Sequence, residues 1–153
     1  MKINFPTEPK KLARTGTMIE LPKLEISIHG PQQVYRKHVL VDTGAFVTLF
    51  PLGLAAQIGI ADVEQLPATS IKTGSGEKLK GHVARVKFTV NDPFNSRRGF
   101  DWDTEIVLAE ANTYYYGVLG HQGFLEFFEF TLRAGVFQIS EKADFPGTVR
   151  DYP

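Results

Sequence analysis

The stretch VLVDTGAFVTLFP, residues 39–51, places one carboxylate between two apolar runs. This feature constrains the fold more than any other in the chain. β-branched and apolar flanks belong in strands that enter a core. Asp-Thr-Gly between them breaks the run, because Asp favours turns and Gly44 allows close backbone approach. Asp42 must therefore sit at the edge of buried structure. It is either a turn former that folding tolerates or the group that the strand was built to hold.

The remaining segments read as short strands. In TMIELPKLEISIHG (17–30), Leu24, Ile26 and Ile28 alternate as in a half-buried strand. VYRKHVLV (34–41) ends in three apolar residues, so its far end enters the core. ATSIKTGSGEKLKGHVARVKFTV (68–90) reads as a hairpin turning at Thr73-Gly74-Ser75-Gly76, with Val83, Val86, Phe88 and Val90 as its apolar side. TEIVLAE (104–110) is a further strand, and EFTLRAGVFQIS (129–140) is a closing hairpin turning at Ala134-Gly135. YYYGVLG predicts a short strand ending at Gly120, followed by a brief helix-like segment. LGLAAQIGI predicts one or two helical turns capped by Gly59. NDPFNSRRGFDWD (91–103), with turn formers and Arg97-Arg98, predicts a long exposed loop. Residues 1–16 read as an irregular arm and 141–153 as a tail without periodicity. About seven or eight strands with at most two short helices predict an all-β barrel or sandwich. Length and the lack of a linker predict one domain over 1–153, its core at 17–140.

Composition narrows the function. Lys+Arg and Asp+Glu both number 17, so no basic excess points to nucleic acid. With no cysteine, disulfides and thiolate metal sites are excluded. His29, His38, His82 and His121 are scattered without metal-ligand spacing, and no metal or other cofactor is expected. GSGEK lacks the Lys-Ser/Thr of a phosphate loop, and Ser75 and Ser140 lack a His-Asp pattern. The N-terminus has no apolar leader and no run reaches membrane-spanning length, so a cytoplasmic protein without membrane contact is expected.

Three parts in order resemble the retropepsin-like aspartic proteases, the single-domain family of retroviral proteases and bacterial relatives. They are VLVDTGAFVTLFP, the glycine-rich hairpin IKTGSGEKLKGHV where that family has its flap, and YGVLGHQGF. Together they span most of residues 17–140. The resemblance implies an acid-protease closed barrel with a flap hairpin. It implies that Asp42 is catalytic, with Thr43 and Gly44 holding its geometry. Two adjacent carboxylates share a proton because both cannot ionise together. The chain holds only one Asp-Thr-Gly, so a second Asp42 must come from a second chain, which predicts a homodimer acting on a peptide or protein substrate. Ala45, Val47, Ile71, Gly74, Ser75 and Gly76 are the candidate substrate-binding wall and flap positions.

The pattern departs from that family at two places. Phe46 and His121 stand where retroviral members commonly carry a paired acid and arginine that brace the dimer. The arm and tail are also longer than in the viral form, whose chain ends interleave. Tyr114, Tyr115 and Tyr116 are expected as strand aromatics or, for one of them, a substrate-pocket residue; Phe124, Phe127, Phe128 and Phe130 are expected mostly in the core. The alternative function is a non-catalytic peptide-binding or dimerisation module on the same fold.

Overall fold

The computed structural model describes residues 1–110 and 117–153; the three tyrosines at 114–116 lie outside the described residues. Alternation and turn chemistry divide the chain into many short strands. The first half holds β1 (Lys2–Pro6), β2 (Glu8–Lys11), β3 (Met18–Leu21), β4 (Lys23–His29), β5 (Val34–Val41), β6 (Leu49–Pro51) and β7 (Ala68–Lys72). The second holds β8 (Lys78–Asp92), β9 (Asn95–Ala109), β10 (Val118–Leu119), β11 (Phe128–Arg133), β12 (Val136–Glu141) and β13 (Thr148–Asp151). One helical turn, α1 (Leu54–Gln57), follows β6, and Gly59 stops it at φ +82°.

Six strands close a barrel in the order β9-β6-β10-β5-β4-β8, with β8 pairing back onto β9. Closure leaves no free edge within the ring. β7 hangs from one end of β8, and β13 lies along β9. Two smaller sheets, β1-β12-β11 and β2-β3, lie beside the barrel.

β8 and β9 form the longest hairpin, in register from Gly81↔Ala109 to Asn91↔Gly99. Residues 91–103, expected as a loop, are therefore mostly strand. The turn is only Pro93-Phe94, set by Asp92 Oδ1 accepting the Phe94 N–H at 2.9 Å. The cluster of Asn, Pro, Ser and Arg masked an alternation in which Phe100, Trp102, Thr104 and Ile106 point inward. Trp102 packs edge-on to Phe88 at 5.4 Å and to Phe128 at 5.0 Å. Its buried indole N–H donates to the Gly123 carbonyl at 3.1 Å, which satisfies the one polar atom in that cluster. Phe124 and Phe128 are fully buried, whereas Phe127 and Phe130 pack at the core's margin.

The chain ends also differ from expectation. Residues 1–16 supply β1 and β2 rather than an irregular arm. Ile3 and Phe5 are buried, and Phe5 stacks on Phe137 at 5.2 Å. The tail supplies β13, held where Arg150 Nε donates to Asp101 Oδ2 at 2.6 Å. Isolated alternation over a few residues is too short to read in sequence, but pairing with a partner strand makes it stable. Both ends are thus paired within their own chain. The segment after Gly120 is a series of turns rather than a helix, because Gly123 adopts φ +93°. No helix among the described residues is long and apolar enough to cross a membrane.

Candidate active site

β5 carries Val39 and Val41 into the core, and the half-buried Asp42 follows its last residue. The Asp42 N–H donates to the Leu119 carbonyl at 3.0 Å. Asp42 Oδ1 accepts the Gly44 N–H at 2.9 Å, an Asx turn that fixes one carboxylate oxygen. A Cβ on Gly44 would stand 3.3 Å from that oxygen, so a side chain there would crowd the carboxylate. The second carboxylate oxygen is left for other chemistry.

The turn is clamped from behind. β10 runs parallel to β5 (Val118↔Leu40, Leu119↔Val41) and antiparallel to β6 (Val118↔Leu49). It therefore fills the gap between the two strands that flank Asp42. Beyond β10, the His121 N–H donates to the Ala45 carbonyl at 2.8 Å and the Gln122 N–H to the Phe46 carbonyl at 2.9 Å. Gly120 makes this approach possible: a Cβ there would lie 2.2 Å from the Val47 carbonyl oxygen.

Thr48, 1% exposed, locks the same crossing. Its hydroxyl donates to the Gln122 carbonyl at 2.8 Å and accepts the Gly120 N–H at 3.1 Å. Thr48→Val keeps the shape but leaves the Gly120 N–H buried and unpaired. It is expected to lower unfolding stability by about 2 kcal/mol, measured by urea denaturation. A change below about 0.5 kcal/mol would show that the hydroxyl is not part of the clamp.

A cleft of about 730 Å³ opens beside the turn. Asp42, Gly44, Ala45 and Val47 line it from one side, and Ile71 and Gly74 from the β7–β8 hairpin. Its floor is Leu49 and Val107, which pack on the fully buried Ala109, with Val47, Ile71 and Val118 against them. The remaining predicted positions are not on this wall. Thr43 is exposed beside Asp42, and Ser75 and Gly76 sit at the exposed hairpin turn. There the Thr73 and Ser75 hydroxyls lie 2.9 Å apart, the Thr73 N–H donates to the Glu77 carbonyl at 2.8 Å, and Gly76 takes φ +86°.

Sequence reasoning missed Thr48 and much of the cleft wall: Leu49, Leu79, Glu105, Val107 and Val118. Val83, expected on one apolar side with Val86, Phe88 and Val90, lines the cleft instead. The available signal was phase. Val83 is odd-numbered, whereas Val86, Phe88 and Val90 are even-numbered, so it points to the other face of β8.

Phe46 lines the cleft and is 86% exposed. His121 is exposed as well. The other histidines lie apart from Asp42. His29 Nε2 contacts the Thr89 hydroxyl at 3.0 Å, and that hydroxyl donates to Asp101 at 2.6 Å. Burial, then the neighbouring Lys87 charge, lowers the His29 pKa, and Asp101 partly offsets both. No group of three or more His, Asp or Glu among the described residues is arranged to hold a metal.

No family model matches the sequence, and no curated protein matches it either. Comparison of folds gives a different result. The chain superposes on the crystal structure of a retropepsin-like aspartic protease from Rickettsia conorii with a TM-score of 0.54, covering 90% of this chain and 98% of that one, at 17% identity. The closed barrel, the strand crossing behind the Asp42 turn and this superposition together give the chain the retropepsin-like aspartic protease fold.

Proposed function

We propose that the chain is a homodimeric aspartic endopeptidase in which Asp42 from each of two copies forms the catalytic pair. The observation that carries this reading is the Asp42 carboxylate itself, fixed by the Gly44 amide in the wall of a cleft roofed by a glycine-bearing hairpin. Alone it is one half of the required chemistry. Paired, the two carboxylates hold one proton between them, and their titration belongs to the pair. The ionised one takes a proton from water, whose oxygen attacks the scissile carbonyl carbon. The protonated one hydrogen-bonds the carbonyl oxygen as charge develops there. Return of a proton to the leaving nitrogen breaks the C–N bond and releases acid and amine.

On this reading Thr43, exposed beside the carboxylate, ties one turn to its copy, and Gly44 keeps the approach open. Ala45, Val47 and Ile71 form the apolar wall, and Gly74, Ser75 and Gly76 form the mobile tip of a flap that excludes water from the pair. An extended peptide would lie between floor and flap, held through its backbone and by side-chain pockets.

A shared site makes activity depend on assembly. Turnover per chain is expected to fall on dilution, in step with the dimer fraction measured by sedimentation. Cleavage of a mixed peptide library across acid to neutral pH, at concentrations spanning that transition, tests this. Turnover that is constant while the dimer dissociates, or a confirmed dimer that cuts nothing at any pH, overturns the proposal.

A further inference from the structure

The cleft beside Asp42 is apolar at its floor but not throughout. β9 meets it at Glu105, Ile106 and Val107. Thr104, Ile106 and Leu108 are buried on the barrel's inner side. Glu105, Val107 and Ala109 therefore share the outer face; Val107 lines the cleft floor and packs with the fully buried Ala109. Glu105 stands one alternate step beyond Val107, about 7 Å along the strand. It is exposed and lines the same cleft as Asp42.

Of the other carboxylates on this hairpin, two are occupied and the exposed Asp103 is not paired among the described residues. Asp92 pairs with Arg98, and Asp101 with Arg150. Glu105 makes no ion pair among the described residues. Three cations are near enough in the sheet to matter. Arg85 is its cross-strand partner and Lys87 its diagonal neighbour on β8, but neither lines the cleft. Lys72 lines the cleft from β7. It stands next to Ile71, which packs onto the floor, and it makes no ion pair with Glu105 among the described residues.

We propose that Glu105 makes the outer end of this cleft a subsite for a basic side chain, with the aliphatic stem on the Val107–Leu49 floor and the cationic head at the Glu105 carboxylate. Long basic side chains divide in this way between apolar and polar surroundings. An acidic side chain in the same place would meet Glu105, and the Asp42 charge lies in the same cleft. The inference rests on the reading that the cleft binds an extended peptide, and it adds the chemical class of residue selected.

The test uses peptides identical except for lysine, norleucine or glutamate at one position, scanned across the sequence. Norleucine keeps the stem and removes the charge. Cleavage is measured with the wild-type chain and binding with the Asp42→Asn chain by fluorescence anisotropy. At one position lysine is expected to exceed norleucine by about five-fold at low salt. In Glu105→Gln the ratio falls to about one, and Glu105→Lys turns the preference toward glutamate. Equal use of lysine and norleucine at every position, a preference that survives Glu105→Gln, or no binding of any peptide overturns the subsite. Selective binding of lysine peptides that are never cut supports the subsite and overturns the hydrolytic reading instead.

Discussion

An Asp42→Asn chain is expected to fold and dimerise as wild type does and to cut peptides at least about a thousandfold more slowly. The substitution is close to isosteric. The Asn side-chain oxygen can still accept the Gly44 N–H that Asp42 Oδ1 accepts at 2.9 Å, so the turn survives. What is lost is the titratable group, and with it the shared proton on which water activation depends. Mixing adds a second readout that a purely structural role would not produce. If each site uses one Asp42 from each copy, equal parts of mutant and wild type leave only about half of the wild-type chains in active dimers after exchange. The activity of a fixed amount of wild type should then fall to about half. Full activity of the mutant, or no inhibition on mixing despite demonstrated exchange, would remove Asp42 from the chemistry.

The second large effect is expected at Gly120. Alanine there puts its Cβ 2.2 Å from the Val47 carbonyl oxygen and 2.8 Å from that of Ala45. Both contacts are with backbone, which cannot rotate away as a side chain could. The strand crossing behind the Asp42 turn must shift, or the turn must move off it. Overpacking of this kind costs about 3 kcal/mol or more, and here it also displaces the carboxylate. Gly120→Ala is therefore expected to lose both stability, by thermal unfolding, and cleavage. Gly53→Ala is the contrast, since nothing lies within 4 Å of a Cβ at Gly53, whose φ is −60°. Its stability should stay within about 0.5 kcal/mol of wild type. Similar behaviour of the two variants would show that the close approach at Gly120 does not hold the turn.

Much of the barrel was legible because its signals are local. The hairpin turning at Thr73–Gly76 and the hairpin turning at Ala134-Gly135 stand where glycine and alternation put them, and Gly59 ends α1. The errors fall where a partner strand, not local preference, makes the element. Lys2–Pro6 is a strand because Phe5 finds Phe137 on β12. Asn95–Asp103 is a strand because β8 and then β13 pair with it despite its turn-forming residues. Such pairings join residues far apart in the chain, and no short window contains them.

The same division holds at the candidate site. The sequence alone determined that an acid ends a core strand at Asp42, that glycine must follow it at Gly44, and that one copy of the motif supplies one carboxylate. Those conclusions rest on the conformational and ionisation chemistry of single residues. Only the tertiary structure decided that Thr48 and Gly120 clamp the turn from behind, and that Glu105 and Val107 share a cleft with Asp42. Strand phase and register set which face each residue occupies, and closing the barrel fixes both by burying one face of every strand.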